Sequence, residues 1–163
     1  MGNLSYMQWL VVVINFLVII FEFIYVRIKW NSLPDEIPVH FNFDGEIDKY
    51  GSKSTLYLLP SVSLFETCMF LIIGLIPEKY WTVHVGVESV ELPTDIRKSL
   101  IRIIINFLFF MMSIINGYLL YTLICMIYII KISSISLIIF LIILVLSSIA
   151  LIYFIYKKVS NYL

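Results

Sequence analysis

The sequence predicts an all-α integral membrane protein with four transmembrane helices and a short extracytoplasmic loop that folds as a β-hairpin. Three observations predict it. Of the 163 residues, 61% are hydrophobic and 13% charged, with a mean hydropathy of +1.01. Soluble domains run near 45–50% apolar and about 25% charged, so lipid must solvate much of this chain. Four stretches, 7–25, 55–76, 101–130 and 135–156, each approach or exceed the roughly 20 mostly apolar residues that cross a hydrocarbon core of about 30 Å. A single polar, turn-rich island, 30–54, lies between the first two. The length suits one domain over 1–163.

Each span is helical, because only a helix satisfies its own backbone in lipid at this length. The first begins close to the N-terminus and ends at Arg27 and Lys29; it reads as a retained anchor rather than a cleaved leader. The third is longer than a bilayer needs and must tilt or project. Lys131, Ile132, Ser133 and Ser134 form a short turn, so the third and fourth spans make an antiparallel hairpin. Trp9, Tyr25, Trp30, Tyr57, Tyr80, Trp81, Tyr153 and Tyr156 fall near span ends, as an aromatic belt would. Thr94-Asp95 ahead of Arg97-Lys98-Ser99 reads as the start of the third helix. In the second loop, Thr82 to Val87 alternates polar or small residues with Val, as a short strand or interfacial segment does.

Eleven basic residues balance eleven acidic ones, which argues against a nucleic-acid partner. Lys79, Arg97, Lys98, Arg102, Lys157 and Lys158 lie on the side of the N-terminus; Arg27, Lys29, Lys49, Lys53 and Lys131 lie on the other. This small excess places the N-terminus in the cytoplasm and the first loop outside, in a multi-pass protein of the cell membrane. Cys68 and Cys125 both sit in apolar runs and read as small buried hydrophobes, with no disulfide framework and no thiolate metal site.

Within the first loop, Pro34 and Pro38 stop helix propagation and extend the residues before them. Asp44-Gly45 predicts a two-residue type I′ turn between arms at 39–43 and 46–50. Phe41 and Phe43 then share one face of the first arm, and His40 and Asn42 the other. The proposed recognition element is His40, Asn42, Gly45, Asp48 and Lys53, shaped by Pro34, Pro38, Asp44 and Gly51. His40, Asp44, Glu46 and Asp48 also invite a divalent cation, although solvated acids around a turn explain them as well. His84 sits across the membrane from His40 and cannot join it.

Glu22 and Glu66 are anomalous, because a mid-bilayer charge costs roughly 2.5–3.5 kcal/mol on insertion scales. Glu22, near the end of its span, is expected to reach the interface or a basic partner. Glu66 lies mid-span, where Asn15, Asn106 and Asn116 are candidate donors to it. The functional reading is a proton- or cation-linked site; the structural reading is hydrogen bonding between helices. No HExxH, GxSxG, P-loop or GxGxxG is present, so the chain reads as non-enzymatic and without a cofactor.

Leu33, Pro34, Ile37, Pro38, His40, Phe41, Asn42, Gly45, Asp48, Gly51, Ser52 and Lys53 form an LPxxIPxHFN…GxxD…GSK pattern. This resembles the bacterial membrane domain of unknown function at the N-terminus of SdpI-type immunity proteins. The resemblance extends more loosely through the second span, and the second half departs from the full immunity protein. It implies a multi-span membrane protein that protects its cell from a secreted membrane-active toxin, so a peptide toxin or a membrane protein becomes the expected partner beside the bilayer and a second copy of the chain. The competing readings are a transport or channel component built on Glu66, and, last, a metal-dependent membrane enzyme using His40 and the loop acids.

Overall fold

A computed structural model describes residues 4–81 and 93–162. Helix α1 runs Tyr6–Lys29. Its start is fixed reciprocally: Gln8 N–H donates to Ser5 Oγ at 3.3 Å, and Ser5 N–H donates to Gln8 Oε1 at 2.8 Å. Arg27 and Lys29 occupy its last turn, where cations suit the helix dipole. A 3₁₀ turn, Trp30–Ser32, leads to strands β1 (Glu36–Phe41) and β2 (Ile47–Ser52). A second 3₁₀ turn, Lys53–Tyr57, feeds helix α2, Leu58–Leu75. Helices α3 (Thr94–Tyr128) and α4 (Ser134–Ser160) complete the chain. The predicted alternating segment at Thr82 to Val87, and His84 with it, lie outside the described residues.

All four predicted spans are helices long and apolar enough to cross a membrane. Their bounds move outward where polar residues continue a helix beyond its apolar run: α1 includes Arg27 and Lys29, and α3 starts at Thr94, well before 101. At 1.5 Å per residue the 35 residues of α3 extend roughly 50 Å, so it projects or tilts in any bilayer. Its C-terminus closes with Ile130 N–H donating to Cys125 O at 3.0 Å and Ile129 N–H to Met126 O at 3.3 Å. That closure puts Ile129 at φ +55°, a left-handed conformation that a β-branched side chain resists.

The antiparallel hairpin pairs Ile37 with Gly51, His40 with Lys49 and Phe41 with Ile47, with irregularities between Pro38 and Phe41. Proline is tolerated here because both strands are edges. Two corrections follow for the predicted hairpin. The first arm begins at Glu36 rather than Val39, and the turn is not type I′, since of its residues only Gly45 has positive φ, +76°. Gly45 N–H donates to Asn42 O, and Asn42 N–H donates to Glu46 O, each at 2.9 Å. The loop is therefore three residues, Phe43 to Gly45, with a left-handed glycine after an ordinary turn. Phe43 is consequently at the tip and 92% exposed, whereas Phe41 packs inward.

Helices α1, α2 and α3 pack on one another, and α4 packs chiefly on α3. One apolar cluster sits beneath the hairpin: Val26, Leu33, Ile37, Leu56, Leu123, Met126 and Ile127. Fully burying Ile37 contributes about 2 kcal/mol to holding β1 down. Tyr25, Trp30 and Tyr57 edge the same cluster. A second cluster, Val12, Ile101, Ile105, Phe109 and Met112, fills the opposite end. On α4 only Val159 is buried, so its apolar surface faces outward.

Between the clusters the core is polar. Along α1 the buried positions are Gln8, Val12, Asn15, Ile19, Glu22 and Val26, a repeat of four and three with a polar residue every seventh place. Asn116 Nδ2 donates to Asn15 Oδ1 at 2.8 Å and to Thr67 Oγ1 at 2.9 Å. Asn15 Nδ2 donates to Val11 O and Ser113 Oγ. One amide thus joins three helices. Interhelical bonds in lipid contribute on the order of 1 kcal/mol each. Asn116→Ala removes two of them and should destabilise the bundle by about 2 kcal/mol, read as a lowered melting midpoint in detergent. An unchanged midpoint would contradict the joining role.

Candidate functional site

The hairpin is closed at its base and fastened at its tip. At the base, Lys53 N–H donates to Asp35 O at 3.0 Å, and Lys53 Nζ lies 3.0 Å from Asp35 Oδ1 and 5.3 Å from the Trp30 ring centre. Lys53 thus ties the incoming and outgoing strands together and is not gathered with His40 and Asp48. Gly51 permits close packing, for a β-carbon there would lie 3.1 Å from the Val39 methyls. Pro38 is buried in the floor of β1.

At the tip, Asn42 Oδ1 accepts from Glu46 N–H at 2.9 Å. Asn42 therefore shapes the turn with its own side chain, much as an Asx turn does. Beyond it, the turn meets the chain linking α3 to α4. Ile132 N–H donates to Gly45 O at 2.9 Å, Ser134 Oγ donates to Asp44 O at 2.8 Å, and Lys131 Nζ lies 3.1 Å from Glu46 Oε1. Ser133 N–H is held in turn by Tyr121 Oη at 3.0 Å. A β-carbon on Gly45 would fall 1.8 Å from Ile132 O. Glycine is required here twice over, by its left-handed φ and by the touching backbone.

Between these two fastenings the strands themselves present a polar pair. His40 Nδ1 lies 2.6 Å from Asp48 Oδ1, with the two side chains 64% and 42% exposed. An ionised carboxylate only accepts, so Nδ1 carries the proton in this contact and Nε2 keeps its lone pair. His40 borders a cavity of about 250 Å³ between the hairpin, α3 and α4. Asn42, Tyr118, Thr122, Ser134 and Leu137 contribute to its walls, which are mixed apolar and hydroxyl-bearing. Such a recess offers one orienting imidazole, hydroxyl groups and an apolar floor, the equipment of a binding site. Among the described residues no three His, Cys, Asp or Glu side chains gather to hold a metal ion.

The intramembrane residues distribute differently from expectation. Asn106 Oδ1 accepts from Gln8 Nε2 at 2.8 Å, and Asn15 and Asn116 bond each other. None of the three donates to Glu66. Glu22 does not reach the interface or a basic residue: it is fully buried, and the ion pairs of the described residues do not include it. Sequence reasoning passed over Gln8, Ser63, Thr67 and Ser113. The seven-residue spacing of Gln8, Asn15 and Glu22 was the available signal. Ser134 and Lys131 carried none, because their role depends on a contact distant in sequence.

A family model described as a domain of unknown function, DUF1648, matches residues 17–64. The matched stretch runs from the middle of α1 through the whole hairpin to the first turns of α2. An uncharacterized protein of Archaeoglobus fulgidus is 33% identical over 60 residues, which is 37% of this chain and 33% of that relative. The chain therefore spans about a third of the length of the curated relative it matches. No solved structure matches.

Gly45→Ala should release the tip. The left-handed conformation costs roughly 1–2 kcal/mol for a residue with a β-carbon, and the clash with Ile132 O adds to it. The expected result is at least tenfold faster tryptic cleavage at Lys49 in detergent-solubilised protein. Equal cleavage rates would show that the tip does not depend on this contact.

Proposed function

We propose that this chain is a non-enzymatic, multi-pass protein of the cell membrane that binds a ligand through the face made by the hairpin and the α3–α4 turn. The N-terminus lies in the cytoplasm in this reading, and the hairpin faces outward. The observation that carries the proposal is the exposed His40–Asp48 pair at the rim of a cavity whose walls come from three separate parts of the chain. A loop with no task to perform has no need of so many tertiary ties. Here the hairpin is fastened at base and tip, and the exposed imidazole of His40 is oriented by a carboxylate. Preorganised polar groups beside an apolar recess cost little ordering entropy on binding.

The match of residues 17–64 to a domain of unknown function supports treating the hairpin and its flanking helices as one unit. The ligand class we favour is a membrane-active peptide toxin, which gives the chain an immunity role like that of SdpI-type proteins. An amphipathic peptide lying at the bilayer surface would meet Phe43, the His40 edge and the cavity together. This choice rests on the LPxxIPxHFN…GxxD…GSK resemblance, on the outward position of the loop and on the mixed character of the recess.

Expression of the wild type should protect cells against at least one of a panel of secreted membrane-active peptides. His40→Ala should raise sensitivity about tenfold at matched membrane levels, the effect of losing roughly 1.4 kcal/mol of binding. Lys98→Ala, at the far end of the bundle, should protect like wild type. Protection by His40→Ala equal to wild type would overturn a recognition role for the loop, and no protection by wild type across the panel would overturn immunity.

A further inference from the structure

Glu22, Ser63 and Glu66 stand apart from the surface site and are not used by it. Glu22 on α1 is 0% exposed, and neither of its carboxyl oxygens has a hydrogen-bond partner among the described residues. Its carboxyl approaches the Ser63 hydroxyl of α2 without closing a hydrogen bond of good geometry. Ser63 is also 0% exposed, and among the described residues its hydroxyl has no other partner. Glu66 follows Ser63 by three residues on α2, so the two share a helix face with β-carbons about 5–6 Å apart. Glu66 is 9% exposed, and its Oε1 also has no partner.

The neighbouring donors are engaged elsewhere. Asn116 Nδ2 is directed to Asn15 and Thr67, and Asn15 Nδ2 to Val11 and Ser113. Even Asn116 retains an unpartnered atom that is an oxygen. Among the described residues this part of the bundle therefore has a surplus of acceptor oxygens, two carboxyl groups among them, and no Lys or Arg ion pair to answer them. Ionised carboxylates buried without a partner are prohibitively costly.

We propose that Glu22, Ser63 and Glu66 form a binding site for a desolvated monovalent cation of about the size of sodium, at the α1–α2 interface. Carboxylate and hydroxyl oxygens are hard ligands and disfavour soft metals. Calcium takes six to eight oxygens, more than these three side chains supply, and magnesium retains several waters in an octahedral shell that a packed helix interface does not admit. Protonation would neutralise each carboxyl separately, whereas a cation at the interface would draw together oxygens from both helices. The site lies within the bundle and is independent of the hairpin's ligand.

The test uses the purified full chain in detergent with choline chloride as the compensating salt. Saturable binding of ²²Na⁺ is expected, at least tenfold weaker in Glu22→Gln and weakened in Ser63→Ala. Sodium should also slow the labelling of wild-type Glu22 by dicyclohexylcarbodiimide, a readout that needs no variant and stands if Glu22→Gln fails to fold. Absence of saturable binding, binding unchanged in a folded Glu22→Gln, or labelling equally fast in sodium and choline would overturn the proposal; the last would mark a carboxyl that only takes up protons.

Discussion

The contact on which the hairpin end of the molecule depends is the hydrogen bond from Ile132 N–H to Gly45 O, with the two backbones in van der Waals contact around it. A single backbone hydrogen bond contributes only about 1 kcal/mol net. Its weight is geometric. It joins the loop after α1 to the turn between α3 and α4, so three helices and the hairpin share one fixed end. The Lys131–Glu46 pair is exposed on both sides and adds little. The Ser134 to Asp44 bond supplies a second anchor, and the Tyr121 hydroxyl steadies Ser133 between them. Without the close approach at Gly45 the cavity beside His40 has no far wall.

The bundle below is organised by a different rule. Lipid tails are as apolar as leucine, so burying apolar side chains does little to choose among helix pairings in a bilayer. Polar groups choose instead. Asn15, Thr67 and Asn116 bond only when α1, α2 and α3 meet at one depth and one rotation. Gln8 and Asn106 repeat the choice two turns earlier along α1. The four-and-three spacing on α1 sets which face turns inward, and α4, with no such polar stripe, lies against α3 with most of its surface free. Glu22 occupies the third polar place of that stripe, and among the described residues its oxygens close no hydrogen bond of good geometry, which separates it from the two amides.

Four spans, their approximate limits and the presence of a hairpin were legible in the sequence, because apolar run length and turn chemistry are local signals. Asp44-Gly45 marked the turn correctly. Its type was misread because Asn42 lends its side chain to Glu46 N–H and lengthens the loop by one residue. The first arm starts three residues before the stretch that the turn signal suggested, since a two-stranded ribbon has free edges where Pro38 fits. The docking of Gly45 on Ile132 left no local trace, since the partners are far apart in sequence. Ile129 at positive φ ran against propensity altogether; the hydrogen bonds that close the α3 terminus accompany it. The candidate residues His40 and Asp48 were recognised as polar, but only the structure places them in contact, and it assigns Asn42, Gly45 and Lys53 to holding the loop together.

The most direct test of this account is the hydrogen-exchange rate of the Ile132 amide in the full chain reconstituted in nanodiscs. Docking of the hairpin predicts exchange slowed at least a hundredfold relative to an unstructured amide, corresponding to an opening free energy of about 2.7 kcal/mol. Exchange at the unstructured rate would mean that the hairpin tip is not fastened to the α3–α4 turn, and the proposed binding face would lose its basis.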